Sequence, residues 1–113
     1  MLTIFHNPKC SKSREGICFL DEIKQPYQVV KYLEKEITFN ELKEIIKKLA
    51  IKPIDLVRTK EKIWIENYKG KELKDDEIIE IMIKNPKLIE RPIIVNGNKA
   101  VIARPTDRIK EIL

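Results

Sequence analysis

Leu2-Thr3-Ile4-Phe5-His6-Asn7-Pro8-Lys9-Cys10-Ser11-Lys12-Ser13-Arg14 is the stretch from which the rest of the chain can be read. Leu2 to Phe5 is a short apolar run with strand character. Beyond it, apolar residues at Ile17, Phe19, Leu20 and Ile23 predict a helix with a broad buried face. Pro8 interrupts between the two, because it fixes its own φ and has no amide proton to give to a ladder. Cys10 therefore falls on the turn from strand to helix, at or just before the first helical turn.

That position changes what a thiol can do. The first amides of a helix have no intrahelical partners, and the macrodipole places partial positive charge there. A thiolate at this spot is stabilised, so its pKa falls below the roughly 8.5 of a free cysteine. Lys9, Lys12 and Arg14 are expected to push the same way, and Ser13 can offer a hydroxyl. The same geometry holds bound oxyanions such as phosphate or arsenate. The alternative is a buried structural cysteine behaving as a small hydrophobe; the polar, cationic neighbours on both sides argue against it.

Working outward, Lys24-Gln25-Pro26 is a break and Tyr27 to Tyr32 reads as a second strand, with β-branched Val29 and Val30 at its centre. Strand, helix and strand within about 30 residues make a βαβ unit with parallel strands. Thr38 with Glu41 three residues later has the pattern of a capping box. It opens a helix whose apolar face is Leu42, Ile45, Ile46 and Leu49. Pro53 suits a helix start; Trp64 and Tyr68 are spaced to share a helical face. Asp75 or Asp76 is expected to cap a helix facing inward through Ile78, Ile79, Ile81 and Met82, ended by Asn85-Pro86. Pro92 to Val95 and Ala100 to Ile102 flank Asn96-Gly97-Asn98, a strong hairpin signal. Thr106 then caps a last helix with Ile109, Ile112 and Leu113 inward. The fold class is α/β: a mixed four-stranded sheet flanked by helices, with a helical insertion between the second and third strands.

A chain of 113 residues fits one domain spanning 1–113. No apolar run approaches the roughly 20 residues of a membrane span, and the N-terminus lacks a secretory pattern, so a soluble, cytoplasmic protein is expected; a monomer is expected as well. Two cysteines do not make a disulfide framework. If both lie on one helix, Cys10 and Cys18 have Cα atoms about 12 Å apart, beyond the reach of a disulfide. Cys18 is read as a core residue, and whatever resolves an oxidised Cys10 comes from outside. The net charge of +5 suits small anions. Its lysines alternate with glutamates as on a solvated face, with no aromatic interleaving and no zinc spacing, so neither a nucleic-acid module nor a metal site is expected.

Arginine is scarce, with five against eighteen lysines. Arg91 and Arg104 each precede a proline at a strand end, and Arg58 follows an apolar run. These are loop positions, where a planar fork can grip a tetrahedral oxyanion bidentately as lysine cannot. The alternative is three surface arginines with structural partners.

The run from His6 to Arg14, together with "LVRTK", "ERPIIV" and "ARPTD", resembles the glutaredoxin-coupled arsenate reductases of the ArsC family, whose fold is thioredoxin-like. The resemblance covers nearly the whole chain, although some members carry a longer C-terminal tail. It implies Cys10 as nucleophile, Arg58, Arg91 and Arg104 around the oxyanion, and His6, Ser13 and Arg14 in support. It also implies that Pro92 faces the cysteine, commonly after a cis peptide bond. The implied activity is arsenate reduction in arsenic detoxification, with no bound cofactor, glutathione as cosubstrate and glutaredoxin as partner. Two alternatives remain: a redox-responsive regulator of the Spx type that binds RNA polymerase, or a thiol oxidoreductase of the same family with another substrate. The regulators sense through C-x-x-C, whereas here the fourth position is Ser13.

Overall fold

The computed structural model describes residues 2–113. They form two compact units: residues 2–35 with 91–113, and residues 36–90.

In the first unit the strands are β1 (Leu2–Phe5), β2 (Tyr27–Val30), β3 (Ile93–Asn96) and β4 (Lys99–Ile102), in the order β2-β1-β3-β4. β1 runs parallel to β2, with Phe5 opposite Val30, and antiparallel to β3, with Phe5 opposite Ile93. β1 is central, and its Leu2 and Ile4 are buried together with Leu20, Ile94, Val101, Ala103, Ile109 and Ile112. The hairpin is tighter than the Asn96-Gly97-Asn98 reading. Asn96 pairs with Lys99, leaving a two-residue loop in which Gly97 takes the positive φ of 60°. Asn96 instead uses its side-chain amide to donate to the Ile112 carbonyl at 2.6 Å, tying the hairpin to the C-terminal segment.

The helix α1 spans Ser11–Glu22, and Cys10 is its N-cap residue in extended conformation (φ −97°, ψ 122°). The Cys10 carbonyl accepts from the Arg14 amide at 3.0 Å, closing the first turn. The helix ends on Lys24 in the left-handed region (φ 56°), where the Lys24 and Gln25 amides reach back to Asp21 and Leu20, a Schellman arrangement made without glycine. The buried stripe is Ser13, Gly16 and Leu20, not the apolar run. Ile17 and Phe19 are half-buried, Ile23 is exposed, and Cys18 is exposed rather than a core residue. Gly16 is small where the neighbouring chain comes close: a Cβ there would lie 3.1 Å from the Pro92 ring.

Residues 106–112 form a 3-10 helix with Ile109 and Ile112 buried. Leu113 is 52 % exposed, so it does not face inward. Thr106 is the first helical residue rather than the cap, and its hydroxyl bonds Glu15.

The second unit holds α2 (Phe39–Leu49), α3 (Lys62–Asn67) and α4 (Asp75–Lys84), with 3-10 turns at Pro53–Leu56 and Pro86–Leu88. Thr38 and Glu41 form the reciprocal capping box. At α4 the cap differs from expectation: Asp75 is already helical, and the Glu77 carboxylate accepts from the amide of Lys74 at 3.1 Å. Leu42, Ile45 and Ile46 of α2 and Ile78, Ile79 and Met82 of α4 are buried. Trp64 is buried, and its ring centroid lies 5.5 Å from that of Tyr68. A bridge between Val57 and Ile89 holds two loop segments together, with the Arg58 amide donating to Leu88 at 2.7 Å. No helix among the described residues is long and apolar enough to cross a membrane.

Candidate active site

The register of the first unit brings three chain segments to one sheet edge. β1 and β2 are parallel, so both end there, and antiparallel β3 begins there, opposite Phe5. The C-terminal edge of parallel strands is where loops gather reactive groups in α/β proteins. The segment after Phe5 starts with the His6 amide donating to Val30 at 2.9 Å. It then turns on Asn7, whose side-chain oxygen accepts from the Lys9 amide at 3.0 Å and whose carbonyl accepts from the Cys10 amide at 3.0 Å. These bonds set the Cys10 side chain at the mouth of α1, 9 % exposed.

Two arginines from the far end of the unit meet the sulfur. Arg91 hydrogen-bonds the Cys10 side chain. Arg104 directs Nη2 to Cys10 Sγ at 3.8 Å, while its Nε donates to the Arg91 carbonyl at 2.7 Å. Arg104 thus touches the thiol and also holds the main chain that carries Arg91. The Arg91–Pro92 and Arg104–Pro105 peptide bonds are both cis.

Burial by itself pushes the Cys10 thiol up. The Arg91 hydrogen bond, the Ser13 amide, the Arg91 charge and the Lys12 amide together outweigh it and bring the pKa from 9.0 to about 7. The cause differs in part from the sequence expectation. The amides at the start of α1 contribute as expected, but the cationic help comes from Arg91. The Arg14 guanidinium is exposed and turned onto the Pro8 carbonyl, and Lys12 pairs with Glu15.

Ser13 also acts differently from expectation. Its fully buried hydroxyl accepts from the Asn7 amide at 2.9 Å and meets His6 Nδ1 at 2.7 Å, so it is occupied away from the sulfur. Burial pulls His6 below its ordinary 6.5, Lys31 and Arg14 add to that, and the Ser13 main chain resists. The Ser13 hydroxyl and His6 Nδ1 share one buried hydrogen bond. His6 and Ser13 thereby brace the turn whose amides face the thiol.

Arg58 belongs to the second unit, where its Nη1 pairs with Glu61 at 2.8 Å. Pro92 packs on Gly16 of α1. One residue of the site carries no mark in the sequence: Asn7 reads only as part of the loop, yet its side chain and carbonyl hold the turn that leads to Cys10. Among the described residues no group of three or more His, Cys, Asp or Glu is placed to hold a metal.

A thiol of lowered pKa at a helix start, beside guanidinium groups, on a sheet of this topology defines a thioredoxin-like thiol protein suited to meeting an anion. The chain belongs to the ArsC family, whose model matches residues 5–112. It is 39% identical over 112 residues to the arsenate reductase of Haemophilus influenzae, covering 97% of each chain. It is 40% identical to the uncharacterized protein YfgD of Escherichia coli K12, covering 97% of this chain and 94% of that one. The structure of an arsenate reductase from Vibrio cholerae superposes with a TM-score of 0.94 at 40% identity, over 99% of this chain and 97% of that one.

Proposed function

We propose that this chain reduces arsenate to arsenite through Cys10, using glutathione and glutaredoxin as external thiols. The observation that carries the reading is the Cys10 thiol with a pKa near 7, contacted by Arg91 and Arg104. At neutral pH about half of it is thiolate, and the guanidinium groups beside it match the charge of a tetrahedral oxyanion. The names of the similar proteins support the choice of arsenate.

In this reading the thiolate attacks arsenic, a sulfur–arsenic bond forms and water leaves. Arg91 and Arg104 offset the charge on the arsenic oxygens as it redistributes. Glutathione then attacks the Cys10 sulfur. The sulfur–arsenic pair of electrons stays on arsenic, which leaves as arsenite, and Cys10 is left in a mixed disulfide with glutathione. Glutaredoxin reduces that disulfide and restores the thiol. Two thiols become one disulfide as arsenic gains two electrons. No bound cofactor is needed, and the reaction is assigned to the cytoplasm and to a monomer.

The test is arsenite formation by the purified protein with arsenate, glutathione and glutaredoxin. Activity abolished by Cys10→Ser and retained by Cys18→Ser supports the reading. No arsenite from the parent under these conditions overturns it, and capture of RNA polymerase by such a preparation would point to the regulator instead.

A further inference from the structure

One residue joins the loop before Cys10 to the helix after it. Asn7 is 7 % exposed, and its polar groups meet three different positions. Its amide donates to the Ser13 hydroxyl of α1 at 2.9 Å, its carbonyl accepts from the Cys10 amide at 3.0 Å, and its side-chain oxygen accepts from the Lys9 amide at 3.0 Å. The two main-chain bonds are open to any residue. The third needs a short side chain with an acceptor two residues before the amide it receives, which means Asn, Asp, Ser or Thr. With Pro8 fixing its own φ in between, the turn Asn7-Pro8-Lys9-Cys10 is closed twice, and Cys10 enters α1 from a fixed support.

Among those acceptors, charge separates asparagine from aspartate. The charged groups that act on this turn are cationic: Arg91 and Arg104 at the sulfur, Lys31 and Arg14 toward His6. A carboxylate at position 7 would make the same bond to Lys9 but would bring a negative charge near the thiolate, and a like charge disfavours ionisation. It would also repel an oxyanion. Serine makes the same kind of turn more weakly. We propose that Asn7 is a positioning residue for the reaction at Cys10: its neutral side-chain oxygen locks the turn that aims the sulfur at the first amides of α1 and at the two guanidinium groups, and adds no negative charge beside them. The inference rests on Cys10 being the reacting thiol. Asn7 touches neither sulfur nor substrate in this role; it acts through the main chain of Lys9 and Cys10.

The test reads the ionisation of Cys10 instead of turnover. In a Cys18→Ser background, the alkylation rate of Cys10 by iodoacetamide is followed against pH for the parent, Asn7→Ala, Asn7→Ser, Asn7→Asp and Asn67→Ala, with urea unfolding of each alongside. Asn67 is the control because its exposed side-chain amide bonds only the Ile63 carbonyl of its own helix, at 3.0 Å. Asn7→Ala should raise the Cys10 midpoint by about half a pH unit to one unit, cutting the thiolate share at pH 7 about two- to fivefold. Asn7→Ser should fall between alanine and the parent, Asn7→Asp should rise at least as far as alanine, and Asn67→Ala should leave the midpoint unchanged. An Asn7→Ala midpoint equal to or below the parent's overturns the inference even where urea shows lost stability, since a merely structural residue would give that result. Should Asn7→Ala fail to fold, serine and aspartate carry the test, and midpoints equal to the parent's in both overturn it. A parent midpoint near 9 would instead overturn the reading of Cys10 itself.

Discussion

Replacing Arg91 by alanine should return Cys10 to an ordinary thiol. The fall from 9.0 to about 7 amounts to about 2.7 kcal/mol of preference for the thiolate, at about 1.36 kcal/mol per pH unit. Burial alone acts against that preference, so the groups that favour the thiolate supply more than the net figure. Arg91 contributes twice among them, by hydrogen bond and by charge, beside two main-chain amides. Without it, burial faces only the amides of Ser13 and Lys12 and what Arg104 offers at 3.8 Å. The pKa should climb to about 8.5 or above, and the thiolate share at pH 7 should fall from about one half to about one thirtieth. The assay is the pH profile of Cys10 alkylation followed by mass spectrometry, with Cys18 first changed to serine because it is exposed and would react too. A midpoint that stays near 7 in Arg91→Ala would refute the reasoning and assign the ionisation to the helix start alone.

Arg91→Lys keeps the charge but loses the fork; with charge-assisted hydrogen bonds worth about 1.5–3 kcal/mol, arsenate turnover should fall roughly tenfold to a hundredfold. Arg108→Lys, exposed and paired with Glu111 at 3.1 Å, should turn over like the parent, and equal behaviour of the two variants would remove Arg91 from the site. Gly16→Ala sets about 1 kcal/mol of gained helix propensity against overpacking of about 1–3 kcal/mol. The new Cβ meets Pro92 at 3.1 Å and Ile4 at 3.3 Å, so urea unfolding should show a net loss; a gain would mean that Pro92 yields easily. Because the folded pKa of Cys10 lies below its unfolded value, its stabilisation is absent under about pH 7 and complete above about pH 9. The stability of the parent over Cys10→Ser should therefore grow across that window by up to about 2.7 kcal/mol, and a flat difference in urea titrations would contradict it.

What could be read from the sequence was what is decided locally. The βαβ opening and the Asn-Gly hairpin follow from apolar runs and turn residues only a few positions apart. The capping box at Thr38 and Glu41 is equally local. Cys18 shows where that logic stops. Hydrophobicity drew the buried face of α1 through the apolar residues, whereas the buried stripe runs through Ser13, Gly16 and Leu20 and leaves Cys18 outside. At Gly16 the demand for a small residue comes from Pro92, far away in sequence, and no periodicity carries it. The site divides in the same way. A cysteine at a strand-to-helix turn could be inferred from neighbours, and the scarcity of arginine marked Arg91 and Arg104. That Arg91 lowers the thiol while Arg14 turns away to Pro8 depends on strand register.

The Cys10 thiol and Arg104, which reaches it, stand 94 residues apart in the chain. β1, between β2 and β3, needs its antiparallel neighbour from the distal end before the sheet is complete. During synthesis the segment with Cys10 emerges first, buried by nothing and flanked by no guanidinium from Arg91 or Arg104. Until Arg91 and Arg104 arrive, Cys10 has the ionisation of any peptide cysteine, and a nascent or broken chain exposes far less thiolate to stray oxidants than the folded one. Ionisation of this one sulfur therefore reports that both ends of the sequence have found each other, and once Cys18 is changed to serine a thiol-reactive dye at neutral pH follows completed molecules through Cys10.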